Sequence, residues 1–288
     1  MDGMDGIRVV VCIEHLTELI ILSGEAFEDP GSEIATTCMC GKKGLSVEDL
    51  PDPFHADFTP NIVGGINTAE NEFPWQVGIQ TNTWFEGGGT LITPSHVLTA
   101  NHVVMNSNGN PWPATDVKAL LGSHSRSRTV AFPVRRIFHH PSYTTVSNGR
   151  FQWATFDFAI LELETPVPFD HTMLPACLPG PQTLPSDFVG EKVIVTGWGL
   201  IEYSEEGDGA AVDKLLKTPY PQNSLIAISQ IDCQNLYASI MEMDESMMCT
   251  GLNEQIDACT LDSGGPMVVQ ADNQNWTLVR EARTLDVY

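Results

Sequence analysis

Asp262-Ser263-Gly264-Gly265-Pro266 stands near the end of a 288-residue chain, and Thr99-Ala100-Asn101-His102 lies far upstream of it. A lone serine hydroxyl is a poor nucleophile at neutral pH. It needs an imidazole to take its proton and a carboxylate to hold that imidazole. Phe156-Asp157-Phe158-Ala159-Ile160-Leu161 offers the carboxylate. The apolar neighbours of Asp157 predict a buried position, and a buried acid needs a hydrogen-bond partner, for which His102 is the candidate. Gly264 and Gly265 let the backbone turn tightly after Ser263 and leave room for a bound molecule.

Around these segments, short apolar runs alternate with Gly, Pro, Asn and Ser: Trp75–Gln80, Gly89–Ala100, Val117–Leu121, Val130–Phe138, Phe158–Leu163, Lys192–Gly197, Pro266–Gln270 and Trp276–Val279. That texture predicts an all-β antiparallel barrel or sandwich. Pro166 to Pro185 is proline-rich and reads as a linker between two halves. Residues 1–61, with Pro30-Gly31 and Pro51-Asp52-Pro53, read as an extension without lasting periodicity.

The net charge of −23 argues against nucleic acid and anionic membranes as partners. No apolar run approaches the roughly 20 residues of a membrane span. Of the 7 cysteines at least one lacks an intrachain partner. Cys38-Met39-Cys40 is too tight for a zinc ligand pair, and nothing in the pattern calls for a metal or cofactor. A disulfide framework implies an oxidising, extracellular setting. The N-terminus is not a clear signal peptide, because Glu14, His15 and Glu18 interrupt its apolar stretches. Asn275-Trp276-Thr277 is a sequon that can carry a glycan on a secreted chain.

Taken together, the motifs resemble those of the chymotrypsin/trypsin-like serine proteases. The resemblance runs from Cys38 to about Val279. It rests on Ile62-Val63-Gly64-Gly65, Phe73-Pro74-Trp75-Gln76-Val77, Gly88-Gly89-Thr90-Leu91-Ile92, Pro175-Ala176-Cys177-Leu178-Pro179, Thr196-Gly197-Trp198-Gly199 and the three segments above, all in the family's order. It implies two antiparallel six-stranded β-barrels, about 62–165 and 186–288, joined by the linker 166–185 and preceded by the pro-segment 1–61. The resemblance makes His102 general base and acid, Asp157 its orienting carboxylate and Ser263 the nucleophile. The backbone N–H groups of Leu261 and Ser263 form the oxyanion hole. Asp257 lies at the base of the specificity pocket, where it pairs with an Arg or Lys of a peptide or protein substrate. Asp262 receives the ammonium freed when an activating protease cuts before Ile62. Cys233 pairs with Cys249, and one of Cys38 and Cys40, by preference Cys40, reaches Cys177.

The chain also departs from that pattern. Two family disulfides are replaced at both ends, by Gly87 with Val103 and by Val193 with Val269. Cys259 has lost its partner. Asn61 precedes Ile62 where the family has Arg or Lys, and Leu261 stands where it has glycine. After Val279 the closing strands and helix are not recognisable, so the second barrel is expected to be incomplete. His139 and His140 resemble a family surface turn. Two functions follow: a serine endopeptidase of trypsin-like specificity made as a zymogen, or a catalytically inactive homologue that binds partners with the same surface.

Overall fold

The computed structural model describes residues 9–11, 40–43, 65–82, 84–149, 151–180, 183–199, 212–220, 224–244, 246–251, 261–271, 275–282 and 286–287. The first strands along the chain are β1 (Val9–Val11) and β2 (Ile66–Asn67). Then come β3 (Gln76–Thr81), β4 (Trp84–Thr93), β5 (His96–Thr99), β6 (Val117–Leu121) and β7 (Val130–His139). A hairpin of β8 (Thr144–Ser147) and β9 (Phe151–Thr155) precedes β10 (Ala159–Leu163). The second half holds β11 (Lys192–Gly197), β12 (Leu216–Lys217), β13 (Leu225–Ile226), helix α1 (Gln230–Tyr237), β14 (Met247–Cys249), β15 (Pro266–Gln270), β16 (Trp276–Glu281) and β17 (Asp286–Val287).

The first half closes into a six-stranded barrel in the order β10-β5-β4-β3-β6-β7. Its interior is built from branched apolar side chains, among them Val77, Ile79, Leu91, Val97, Leu121 and Ile160, all essentially without solvent contact. Each such side chain contributes about 1.5–3 kcal/mol by leaving water. The run Gly89–Ala100, expected as one strand, is two: a turn at Pro94 and Ser95 separates β4 from β5. Proline has no N–H for the ladder, so the chain folds back there.

Among the described residues, the second half forms an eight-stranded sheet rather than a closed barrel, in the order β14-β1-β16-β15-β11-β12-β2 with β13 also on β11. The extension therefore contributes to this sheet, against expectation. The β1 backbone pairs antiparallel with β14, Val9 opposite Cys249, and Val11 is opposite Glu281 of β16. A third sheet joins β8, β9 and β17. One buried apolar cluster runs through both halves, from Val77 and Leu91 to Trp198, Val268 and Trp276. The two halves thus share a core, and the groups at their junction are held by both.

Of the paired cysteine expectations, Cys40–Cys177 and Cys233–Cys249 are bridged. Backbone bonds support the first: Gly41 N–H donates to Pro175 O and Trp276 N–H to Gly41 O. Both lost bridges are visible as neighbours. Val193 is the direct register partner of Val269 in β11–β15. A β-carbon on Gly87 would lie 3.0 Å from Val103. Cys38 and Cys259 fall outside the described residues.

Near the Cys40 tether, Glu72 sits buried between two lysines. Lys43 Nζ lies 2.8 Å and Lys217 Nζ 2.6 Å from the same carboxylate oxygen. Burial pushes the Glu72 carboxyl up, but Lys217 and Lys43 together outweigh burial and hold it below the ordinary carboxylate range.

Candidate active site

Register brings two of the three chemical groups together. Thr99 is opposite Ala159 where β5 pairs with β10. The residues just past β5 and just before β10 are therefore left at the same end of the barrel. Past β5 the chain makes a 3-10 turn, Asn101–Val104, which carries His102. Asp157 meets it at two points: its Oδ1 accepts the His102 backbone N–H at 2.9 Å, and its Oδ2 lies 2.7 Å from His102 Nδ1. The carboxylate is fully buried, while the imidazole is about one third exposed. This contact fixes the ring so that Nδ1 carries a proton toward the carboxylate and Nε2 is turned outward. An imidazole held this way can accept a proton at Nε2 while Asp157 stabilises the resulting cation.

Ser263 is buried on the loop that leads into β15. Its carbonyl accepts the Gly88 N–H at 2.8 Å, which ties the loop to β4. Gly264 has φ +81, and a β-carbon there would overlap the Thr99 hydroxyl and lie 2.9 Å from the Ala100 nitrogen. Only glycine allows this approach. The serine loop therefore rests directly on the strand end that carries His102. Thr99 Oγ1 donates to Gly88 O at 2.7 Å and closes the same junction.

Asp262 is fully buried, and its Oδ1 accepts the Gly199 N–H at 2.7 Å. A β-carbon on Gly197 would fall on this carboxylate, and one on Gly199 would lie 2.5 Å from it. The two glycines of Thr196-Gly197-Trp198-Gly199 thus make the space for Asp262. Leu261 has φ +76. The leucine keeps the left-handed backbone natural to glycine, at a cost of about 1–2 kcal/mol. Asn275 is half-buried where the chain enters β16. Asp257, Asn61 and Ile62 lie outside the described residues.

The histidines beside the site were misread from sequence. His140 is buried, not a surface residue, and its ring stacks on Phe156 at 4.9 Å and 7°. His139 is partly buried, and its Nδ1 lies 2.5 Å from Asn101 Oδ1, one residue before His102. Burial lowers the pKa of His139, which favours its neutral form. Ser246, whose hydroxyl accepts the Phe156 N–H, carried no signal in the sequence.

A family model described as Trypsin matches residues 62–279. The chain belongs to the trypsin family. Among curated relatives, Venom serine protease 34 of Apis mellifera is 32% identical over 245 residues, covering 82% of this chain and 52% of that protein. Serine protease filzig of Drosophila melanogaster is 32% identical over 75% of this chain and 12% of its own length. Suppressor of tumorigenicity 14 protein homolog of Bos taurus is 32% identical over 72% of this chain and 23% of its own length. The chain thus spans about half of the first of these relatives and a smaller share of the others. The first two of these relatives are serine proteases by name. No helix among the described residues is long and apolar enough to cross a membrane.

Proposed function

We propose that the chain is a secreted serine endopeptidase of trypsin-like specificity, made as a zymogen with residues 1–61 as its pro-segment and 62–288 as its peptidase region. The observation that carries the reading is the two-point contact of Asp157 with His102, set beside the Ser263 loop. In this reading His102 takes the Ser263 proton as the serine attacks a peptide carbonyl, and returns it to the leaving amine. Water then hydrolyses the acyl-enzyme by the same route. Asp257 selects Arg or Lys before the scissile bond, by resemblance. The substrate is a peptide or protein, and an activating protease cuts after Asn61. The Cys40–Cys177 bridge would keep the cut pro-segment attached.

A second reading, an inactive homologue, has one observation on its side. Beyond β16, Ala282 O accepts the Gly264 N–H and its N–H donates to Gly265 O, and β17 pairs with β9. The end of the described chain is thus paired within the protein, beside the serine loop and on β9. One experiment separates the readings. The full chain carrying Asn61→Arg is cut with trypsin, purified from it, and offered fluorogenic peptides with Arg, Lys, Phe or Ala before the scissile bond. Turnover of the Arg and Lys peptides that vanishes in Ser263→Ala is expected. No turnover by the cut chain would overturn the enzyme reading. A preference for Phe or Ala would remove Asp257 from its role.

A further inference from the structure

Asp157 follows Phe156, a non-glycine residue with φ +49. Left-handed backbone is unfavourable for a bulky side chain and persists only where the surroundings hold it. Three contacts do so. The Phe156 carbonyl accepts the Phe158 N–H at 3.0 Å, which puts Asp157 at the centre of a tight turn. The Phe156 ring stacks on His140. The Phe156 N–H donates to Ser246 Oγ at 3.0 Å. The first two contacts come from the same half of the molecule as Asp157. The third comes from the other half.

We propose that Ser246 is a positioning residue for Asp157, acting through the Phe156 backbone from across the junction of the two halves. Ser246 is fully buried just before β14. Its hydroxyl donates to Asp244 Oδ1 at 2.5 Å, and its backbone N–H donates to the same oxygen at 2.8 Å. A hydroxyl has one proton, and here Asp244 takes it. What Ser246 presents to Phe156 is therefore a fixed lone pair, suited to an N–H donor and to nothing else on that peptide.

The surrounding packing keeps this contact in register. Trp153 of β9 packs in one buried cluster with Tyr237 of α1, Met241, Met243 and Met247. At the hairpin tip, Asn148 Nδ2 donates to the Ile240 carbonyl at 2.7 Å. The β8–β9 hairpin is thus fastened to the second half at its tip, along its strand and at its base. The base contact is two atoms of backbone away from the residue that orients His102. Loss of the Ser246 hydroxyl would leave the part-buried Phe156 N–H without that acceptor, and the strained turn would relax. Asp157 would then hold the imidazole less firmly.

The inference rests on His102 and Asp157 acting as a pair, and its test does not need turnover. In the full chain labelled at histidine, the Nδ1 proton of His102 bound to Asp157 gives a low-field NMR resonance. Ser246→Ala is expected to weaken or shift it, and Ser246→Thr, which keeps the hydroxyl, to restore it. In the Asn61→Arg protein after cleavage, Ser246→Ala should lower kcat about tenfold, the worth of one hydrogen bond, with KM unchanged. An unmoved resonance in Ser246→Ala, or no restoration by Ser246→Thr, would overturn the proposal. If Ser246→Ala does not fold, Asp244→Ala, which removes the acceptor of both the Ser246 hydroxyl and its backbone N–H, is read the same way. If the wild type shows no turnover yet the resonance moves as described, the positioning role stands and the protease reading alone falls.

Discussion

Asp157 grips His102 twice, at the backbone nitrogen and at Nδ1, so the carboxylate sets both where the imidazole sits and which tautomer it holds. Asp157→Asn should leave the fold intact, because an amide oxygen still accepts the backbone N–H. It should reverse the ring's tautomer and cut turnover of an Arg or Lys peptide about 10⁴-fold. Peptide assays on the cleaved Asn61→Arg protein, with circular dichroism as the control for folding, check this.

Leu261 already has the backbone a glycine would take. Leu261→Gly should therefore act on stability more than on chemistry. Relief of the left-handed leucine, about 1–2 kcal/mol, is partly offset by the freer unfolded chain, leaving a gain of about 1 kcal/mol. Thermal unfolding should show a rise of about 3 °C. Turnover should stay within about threefold of the parent. A rise of 10²–10³, the worth of an oxyanion donor, would mean that the Leu261 N–H is turned away from the site in the parent.

Glu72 is the shared partner of Lys43 and Lys217. Its folded pKa lies below the unfolded value, so its contribution to stability is complete above the unfolded pKa and is lost as pH falls through the folded one. Denaturant unfolding should show stability dropping on acidification below about pH 4, carboxylates titrating there when unfolded. Glu72→Gln should remove part of that acid sensitivity. At neutral pH it should cost about 3 kcal/mol, since two partly buried ammonium groups lose their counter-charge. An unchanged pH profile in Glu72→Gln would count against this account.

Val193 and Val269 are buried register partners on adjacent strands. The double variant Val193→Cys with Val269→Cys should form a disulfide under oxidising conditions and gain about 2 kcal/mol. Non-reducing peptide mapping and the loss of that gain on reduction are the checks.

Sequence alone determined the family, the order of His102, Asp157 and Ser263, and the strands with strong periodicity. β6 and β15 fall where the apolar runs placed them. Those features are local: alternation, turn residues and motif spacing are all carried by neighbours along the chain. The glycines of Thr196-Gly197-Trp198-Gly199 were legible as a motif, but their reason, the buried Asp262 carboxylate, is a contact across 63 positions. The β8–β9 hairpin escaped notice because its burial comes from the second half, through Trp153 against α1 and β14. Val9–Val11 looked like part of a structureless extension because a short apolar stretch becomes a strand only when partners flank it, here β14 and β16. His140 was read as a surface residue because nothing near it in sequence shows that Phe156 and Phe158 will close over its ring. The sequence named the groups proposed for the chemistry. Only the packing of one half on the other decided how they are held, because hydrogen bonds and buried contacts between distant segments exist only once the chain has folded.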